Sequence, residues 1–570
     1  MNKQRRNEIC ACGSGRKYKH CHGKLTSTAD DSRPPEDALK AMRRQMDSIN
    51  AAEYRRRLMH GLGRPIVSFE ANGFRIVAVG MEVRWSKNWK TFADFLMDYI
   101  KTTLTAEWGN AEIRKPTLEM HPVIRWFKHI GAAITKARSM AVNSNLRETT
   151  MDGTSRAFLG LAYDLFLCAH NVKTQELLIK RLRKKPTFGG ALYEANVIGW
   201  FIRAGFKIEF EDESDPNSTH CEFTATHGET GRKFSVEAKS IGDESSRAGS
   251  SLKVPRVRHK LTEALSKRAD YARVIFIDLN RAEHLTDGTP PAWEQTLHDE
   301  IARCELDLKI EGAPAPPAYV FMTNRGYLHR LSETSWAEFA IVDGFKIPDF
   351  PIGKGCATVL EMHRARDRNL EMYWLAQAMV TGNPIPSTFD ARSPEEAYSR
   401  VPIPRIRIGD SFEYEQDGQA KTGVLVDALV GEQEKTVYAT LQTGAENAIV
   451  KMPLTEVEMA IYRCNPDTFF DVVKPINKPL TKPLEWFDFF AQTYMNAKKE
   501  TLLDWMQDHP DIESLRTKSQ KEVAEIYCGR MAASIWHRGQ VAKEKPGESA
   551  GLEQLQDAPV PLREDLVSSS

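Results

Sequence analysis

The stretch Arg273-Val-Ile-Phe-Ile-Asp278-Leu279 constrains the fold most, because its apolar residues run on without alternating. Successive side chains of a strand point to opposite faces. Such a run must therefore be covered on both sides, as in a buried strand of an α/β sheet. Ala318-Tyr-Val-Phe-Met322 can add a second buried strand. The segments before Arg273 alternate instead. Phe234-Ser-Val-Glu237-Ala-Lys239-Ser240 turns Phe234, Val236 and Ala238 towards a core, and Ser235, Glu237 and Lys239 towards the opposite face. Cys221-Glu222-Phe223-Thr224-Ala225 repeats the alternation, Phe206-Lys-Ile-Glu-Phe210 reads as an earlier strand, and His227-Gly-Glu-Thr-Gly231 supplies a hairpin connection. A helix is expected over 191–204, opened by Gly189-Gly190 and closed by Gly205, and a basic helix over 255–270. The order is helix, three strands, helix, strand.

A carboxylate and an ammonium two residues apart on one strand face, Glu237 and Lys239, make a compact site for a divalent cation and a water. Glu194 falls inside the apolar stripe Ala191, Ala195, Ile198, Ile202 of the first helix. A carboxylate on a buried face is costly unless it is paired or metal-bound. A salt-bridged glutamate at the edge of the stripe is the other reading.

Glu222, Glu237-Ala238-Lys239 and the element order resemble the restriction-endonuclease-like, PD-(D/E)XK nucleases. The resemblance implies hydrolysis of phosphodiester bonds with Mg²⁺ or Mn²⁺ held by Glu222, Glu237 and the Ala238 carbonyl. It implies a catalytic set of Glu194, Glu222, Glu237 and Lys239, with Glu194 reaching the metal site and Lys239 acting on the attacking water. Lys253, Arg256, Arg258 and Lys260 would hold nucleic-acid phosphates. The family usually has Asp where this chain has Glu222, and Thr219-His-Cys221 lacks the usual proline. Asp212 and Asp215 are the nearby alternatives.

The N-terminus carries Cys10-Ala-Cys12-Gly13-Ser14-Gly15-Arg16-Lys17-Tyr18-Lys19-His20-Cys21-His22. Three thiols and an imidazole make a tetrahedral set of the structural zinc type. Both His20 and His22 are available as the fourth ligand. A segment this short buries no core, so the metal would supply its folding energy. The string resembles the SEC-C motif, found at the C-terminus of the bacterial export motor ATPase and in many otherwise unrelated proteins. That resemblance favours His22, with Cys10, Cys12 and Cys21, as the zinc ligands.

At 570 residues, 41% hydrophobic and 27% charged, the chain has room for several globular domains. The net charge of +1 leaves nucleic-acid binding to local patches, at 173–185 and 253–273. The other cysteines are scattered, and no run approaches the ~18 apolar residues of a membrane span. A cytoplasmic protein is expected. The sequence predicts a multidomain α+β chain: a SEC-C zinc motif (1–24), a mainly helical domain (36–185), a restriction-endonuclease-like α/β core (186–330), a helical extension (331–400), a small SH3-like β-barrel (405–475), C-terminal helices (484–540) and a disordered tail (545–570). Its aromatics over 36–170 read as core rather than as a base-stacking surface.

The resemblances imply two functions. The first is a metal-dependent nuclease, DNA favoured over RNA, for which the family resemblance implies genome defence against phage or plasmid and a homodimer where both strands are cut. The second is a non-catalytic zinc protein docking to ribosome, export chaperone or nucleic acid, with a degenerate nuclease-like fold as scaffold.

Overall fold

In the computed structural model, which describes residues 7–21, 35–140, 150–173, 175–211, 220–242, 255–281, 293–336, 338–381, 385–399, 406–475 and 479–544, the apolar run is a central strand covered on both faces. Chain contacts divide the protein into two units. One comprises Met1–Ala52, Arg405–Leu454 and Thr468–Lys474; the other comprises Glu53–Pro404, Thr455–Asp467 and Pro475–Ser570.

The larger unit is organised by a six-stranded sheet and the helices against it. In chain order these are α1 (Gly153–Asn171), α2 (Glu176–Leu182), α3 (Lys185–Arg203), β1 (Phe206–Phe210), β2 (Phe223–His227), β3 (Lys233–Ser240), α4 (Pro255–Leu265), β4 (Ala272–Asp278), α5 (Glu294–Asp307), β5 (Ala318–Arg325) and β6 (Glu338–Phe345). The spatial order is β6-β5-β4-β3-β2-β1. Strands β1, β2 and β3 form an antiparallel meander, β4 and β5 run parallel to β3, and β6 returns antiparallel at the far edge.

The two faces of β4 explain its sequence. Val274 and Phe276 join the core of α3, where the Phe276 ring stacks on Phe321 at 4.8 Å. Ile275 and Ile277 join a second core with Leu261 and Leu265 of α4 and Leu297 and Ile301 of α5. Helix α3 is buried almost all round from Ala191, because α1 covers the side turned away from the sheet. Gly199 permits that approach: a Cβ there would meet Asp164 Oδ1 at 2.6 Å. The aromatics Phe92, Phe95, Tyr99, Phe158 and Phe166 are core, as expected, and this core extends without a break from Val77 to Phe389. Phe69 and Trp85, on the small sheet of Ser68–Ala71, Phe74–Val79 and Glu82–Ser86, are exposed instead.

Several expectations are corrected. Gly189-Gly190 lies inside α3 rather than opening it, because Pro186 starts the helix a turn and a half earlier. The basic helix ends at Leu265. Residues 331–400 are not only helical: Glu338–Phe345 is the edge strand β6, and Trp336 precedes it outside any helix. The C-terminal helices expected over 484–540 are four, Pro483–Tyr494, Lys499–Trp505, Ile512–Thr517 and Gln520–Glu544. Gln520 donates to the Met495 and Ala497 carbonyls at 2.7 and 2.9 Å, satisfying groups freed by the first break. Ser519 and Glu522 form a reciprocal N-terminal cap that restarts the chain as Gln520–Glu544. In the smaller unit, Ser411–Gln416, Gln419–Gly431, Thr436–Thr443 and Glu446–Pro453 form an open four-stranded antiparallel meander, a half-barrel, where a closed SH3-like barrel was expected. Among the described residues its first and last strands do not pair. The tail 545–570 lies outside the described residues, and among the described ones no helix is long and apolar enough to cross a membrane.

Candidate functional site

Glu237 is in register with Ile275 and Lys239 with Ile277, so both face the α4 side while Phe234 and Val236 enter the α3 core. The alternation fixes this arrangement, but the second face is not open. Glu237 is 1% exposed, the Lys239 ammonium lies against its Oε1, and its Oε2 accepts no hydrogen bond. Burial, and then the charge of Glu222, push the Glu237 carboxyl up to about 7. Burial works against the Lys239 charge, but neighbouring Glu237 outweighs it and raises the Lys239 pKa. Burial and then Glu237 push the Cys221 thiol up to about 12, which leaves it unreactive.

Glu222 sits one residue before β2. Phe223 pairs with Val236, and the Glu222 N–H donates to the Val236 carbonyl at 3.0 Å, which brings Glu222 to the Glu237 end of β3. Glu194 is 2% exposed, and its Oε2 lies 2.7 Å from Nη1 of Arg181 on α2. The same nitrogen is 3.8 Å from Glu222 Oε2. Arg181 thus ties Glu194 to Glu222. It stood in the sequence only as one of six cations over 173–185, and its role depends on how α2 folds back onto α3. The paired reading of Glu194 is therefore the observed one.

The basic helix gives a mixed result. Arg258 pairs with Asp307 at 2.9 Å and Lys260 with Glu263 at 2.8 Å. Lys253 lies outside the described residues, as do Asp212, Asp215 and the side chain of Arg256.

On the other face of the sheet, Asp278 is fully buried against Arg325 at 2.6 Å, and Ser240 Oγ donates to it at 3.3 Å. The Arg325 guanidinium lies 5.0 Å over the Tyr193 ring, whose hydroxyl meets Thr323 Oγ1 at 2.7 Å. This pair locks the ends of β3, β4 and β5 together. Arg325→Ala would leave Asp278 buried without its cation and should destabilise the unit by about 3–5 kcal/mol, read as a lower midpoint of urea unfolding.

The raised Glu237 carboxyl makes stability depend on pH. In the unfolded chain it ionises near ~4.3; in the folded chain it ionises near 7. Between these values the unfolded state binds fewer protons, so stability falls as pH rises through the window and levels off above it. The full loss is about 4 kcal/mol at ~1.4 kcal/mol per pH unit. Half-buried Asp164, its carboxyl also raised to about 7 by desolvation, adds a slope of the same sign. Without added divalent metal, Glu237→Gln should melt higher than wild type at pH 8 and show a flatter decline between pH 5 and 8.

At the N-terminus, Cys10, Cys12 and Cys21 bring their sulfurs within 4.8 Å of one another, the one such set of three metal-type ligands among the described residues. Gly13 and Gly15 take positive φ values of 77° and 68°, which fold the loop back so that the Cys10 N–H reaches the Arg16 carbonyl at 2.8 Å. The Tyr18–His20 turn then returns Cys21 to 3.4 Å from the Cys12 sulfur. The Ser14 hydroxyl and N–H hold the Cys12 thiol below its usual value. Three thiols converging without a disulfide suit a thiophilic ion such as zinc. His20 is not part of the cluster, and His22 lies outside the described residues.

The SEC-C motif family matches residues 6–24. This segment is a SEC-C motif. Over 20 residues the chain is 85% identical to a protein translocase subunit SecA from Albidiferax ferrireducens, covering 4% of this chain and 2% of that protein. No solved structure matches the chain.

Proposed function

We propose that the protein is a divalent-metal-dependent nuclease, with DNA as the favoured substrate and the SEC-C motif as a zinc-stabilised docking module. The observation carrying this reading is Glu237, a buried carboxylate paired through one oxygen with Lys239, whose other oxygen has no hydrogen bond and whose charge is disfavoured by Glu222. Two carboxylates that disfavour each other's charge suit a Mg²⁺ or Mn²⁺ ion with its oxygen preference. The element order α3, β1, β2, β3, α4, β4 supports the restriction-endonuclease-like reading, as does the placing of Glu237 and Lys239 on one face.

In this site Glu222, Glu237 and the Ala238 carbonyl would hold the ion, which would supply polarisation of the phosphate and acidification of a water. Glu237 would bind it as the carboxylate, its proton released to solvent. Lys239, kept charged by Glu237, orients the attacking water or stabilises negative charge on the phosphate. Glu194 anchors Arg181 at the rim. The test is purified protein with Mg²⁺ or Mn²⁺ on plasmid, single-stranded DNA and RNA, beside Glu237→Ala and Lys239→Ala. Metal-dependent cleavage lost in both variants is the expected result, and cleavage that survives both removes the site.

A second reading, a non-catalytic docking protein, draws on the SEC-C motif, which this chain shares with a translocase subunit. Its partner would be a protein, ribosomal or translocase surface. Failure to cleave any of the three substrates, with zinc-dependent binding to such a partner, would favour it. Genome defence is the setting the nuclease reading suggests, and action in the cytoplasm and pairing as a homodimer belong to the same proposal.

A further inference from the structure

Arg181 occupies a place that neither the carboxylates nor the basic patch explain. One nitrogen, Nη1, touches Glu194 Oε2 at 2.7 Å and reaches Glu222 Oε2 at 3.8 Å. Glu194 is almost wholly buried, whereas the Arg181 side chain is 28% exposed. The cation therefore enters from the rim, and its guanidinium lies against one of the two carboxylates assigned to the metal. Helix α2 is seven residues long and packs on α3, so the guanidinium can turn outward without moving the sheet.

We propose that Arg181 is a built-in counter-ion that competes with the divalent cation for Glu222 and, once displaced, pairs with a phosphate of the incoming nucleic acid. The inference rests on the metal reading of Glu222 and Glu237. An ion at Glu222 and a guanidinium against the same carboxylate repel each other, so each disfavours the other. A phosphate that accepts the displaced guanidinium, by the two-pronged pairing arginine favours, removes that competition. Metal and nucleic acid then bind with positive coupling, which must be reciprocal. Without substrate the site holds its ion weakly.

The test is Mn²⁺ binding by the full, zinc-loaded chain, followed by the paramagnetic signal of free Mn²⁺, with and without a phosphorothioate DNA duplex that resists cleavage. Arg181→Gln should bind Mn²⁺ about tenfold more tightly than wild type, a factor that corresponds to ~1.4 kcal/mol. The duplex should tighten Mn²⁺ binding to wild type more than to Arg181→Gln, in which only the ion's own contact with phosphate couples the two. Arg181→Lys, which keeps the charge but loses the fork, should fall between them. Because Arg181→Gln leaves Glu194 without this guanidinium, its fold is checked by the rise in melting temperature on adding Mn²⁺. Equal or weaker Mn²⁺ binding by Arg181→Gln overturns the competition, and a duplex effect as large in it as in wild type overturns the handover to phosphate. No Mn²⁺ binding by wild type or by either variant removes the metal reading itself. Binding that survives Glu237→Gln places the ion elsewhere and does the same.

Discussion

Glu237→Ala is expected to reduce metal-dependent DNA cleavage by at least about 10²–10³-fold, the range seen when one preorganised charge-stabilising group is removed from an active site. The substitution takes away a metal ligand and also the anion that raises the Lys239 pKa. It also takes away the ion pair with Lys239, but burial and the neighbouring Glu222 outweigh that pair. Oε2 of Glu237 is buried without a hydrogen bond, and the carboxyl is held near 7 by burial and by Glu222. The metal-free variant should therefore melt no lower than wild type at pH 8. Activity lost with stability kept is the signature of a functional carboxylate. Parallel loss of both would mark Glu237 as part of the scaffold. Lys239→Ala should show the same split, less cleanly, because it leaves Glu237 without the ammonium beside it.

The second large effect is expected at the N-terminus. Over residues 7–21 Cys10 is the one buried residue, so almost no apolar burial offsets the entropy of ordering the loop. Structural zinc in comparably small modules contributes an apparent ~10–16 kcal/mol. Stripping the metal with a strong chelator, or replacing Cys21 by Ser, should abolish amide-exchange protection at the Cys10 and Tyr18 N–H groups, which donate to the Arg16 and Glu8 carbonyls. Protection in β3 to β5 should be unchanged, because their hydrogen bonds belong to a sheet with its own cores. Protection of both N–H groups after complete metal removal would show that the loop folds without an ion.

What could be read from the sequence was whatever a local pattern determines. The switch from alternating residues at 234–240 to a continuous run at 273–279 follows directly from one strand contacting charged groups on one face and the next strand packing between two cores. The cysteine spacing with Gly13 and Gly15 fixed the N-terminal cluster in the same way. What was not readable depended on partners distant in sequence. Arg181 gains its role from α2 folding beside Glu194 and Glu222, and Arg325 from a strand forty-seven residues past Asp278. Strand β6 was missed because its polar-flanked residues are only half buried at a sheet edge. Gly189-Gly190 misled as a helix start because Pro186, a stronger signal, stood just before it. The basic helix read as a phosphate surface, yet Arg258 and Lys260 face Asp307 and Glu263, and Asp307 closes a helix the sequence did not reveal.

The central claim is that Glu222 and Glu237 share one divalent ion. Anomalous diffraction from crystals soaked in Mn²⁺ tests it most directly, with the zinc expected at Cys10, Cys12 and Cys21 as an internal reference recorded at its own absorption edge. The expected result is a manganese peak with carboxylate oxygens of both Glu222 and Glu237 within about 2.0–2.4 Å, and Arg181 turned away from Glu222. A protein that cleaves DNA in solution while its crystals show manganese bound elsewhere, or none between these two carboxylates, would contradict it.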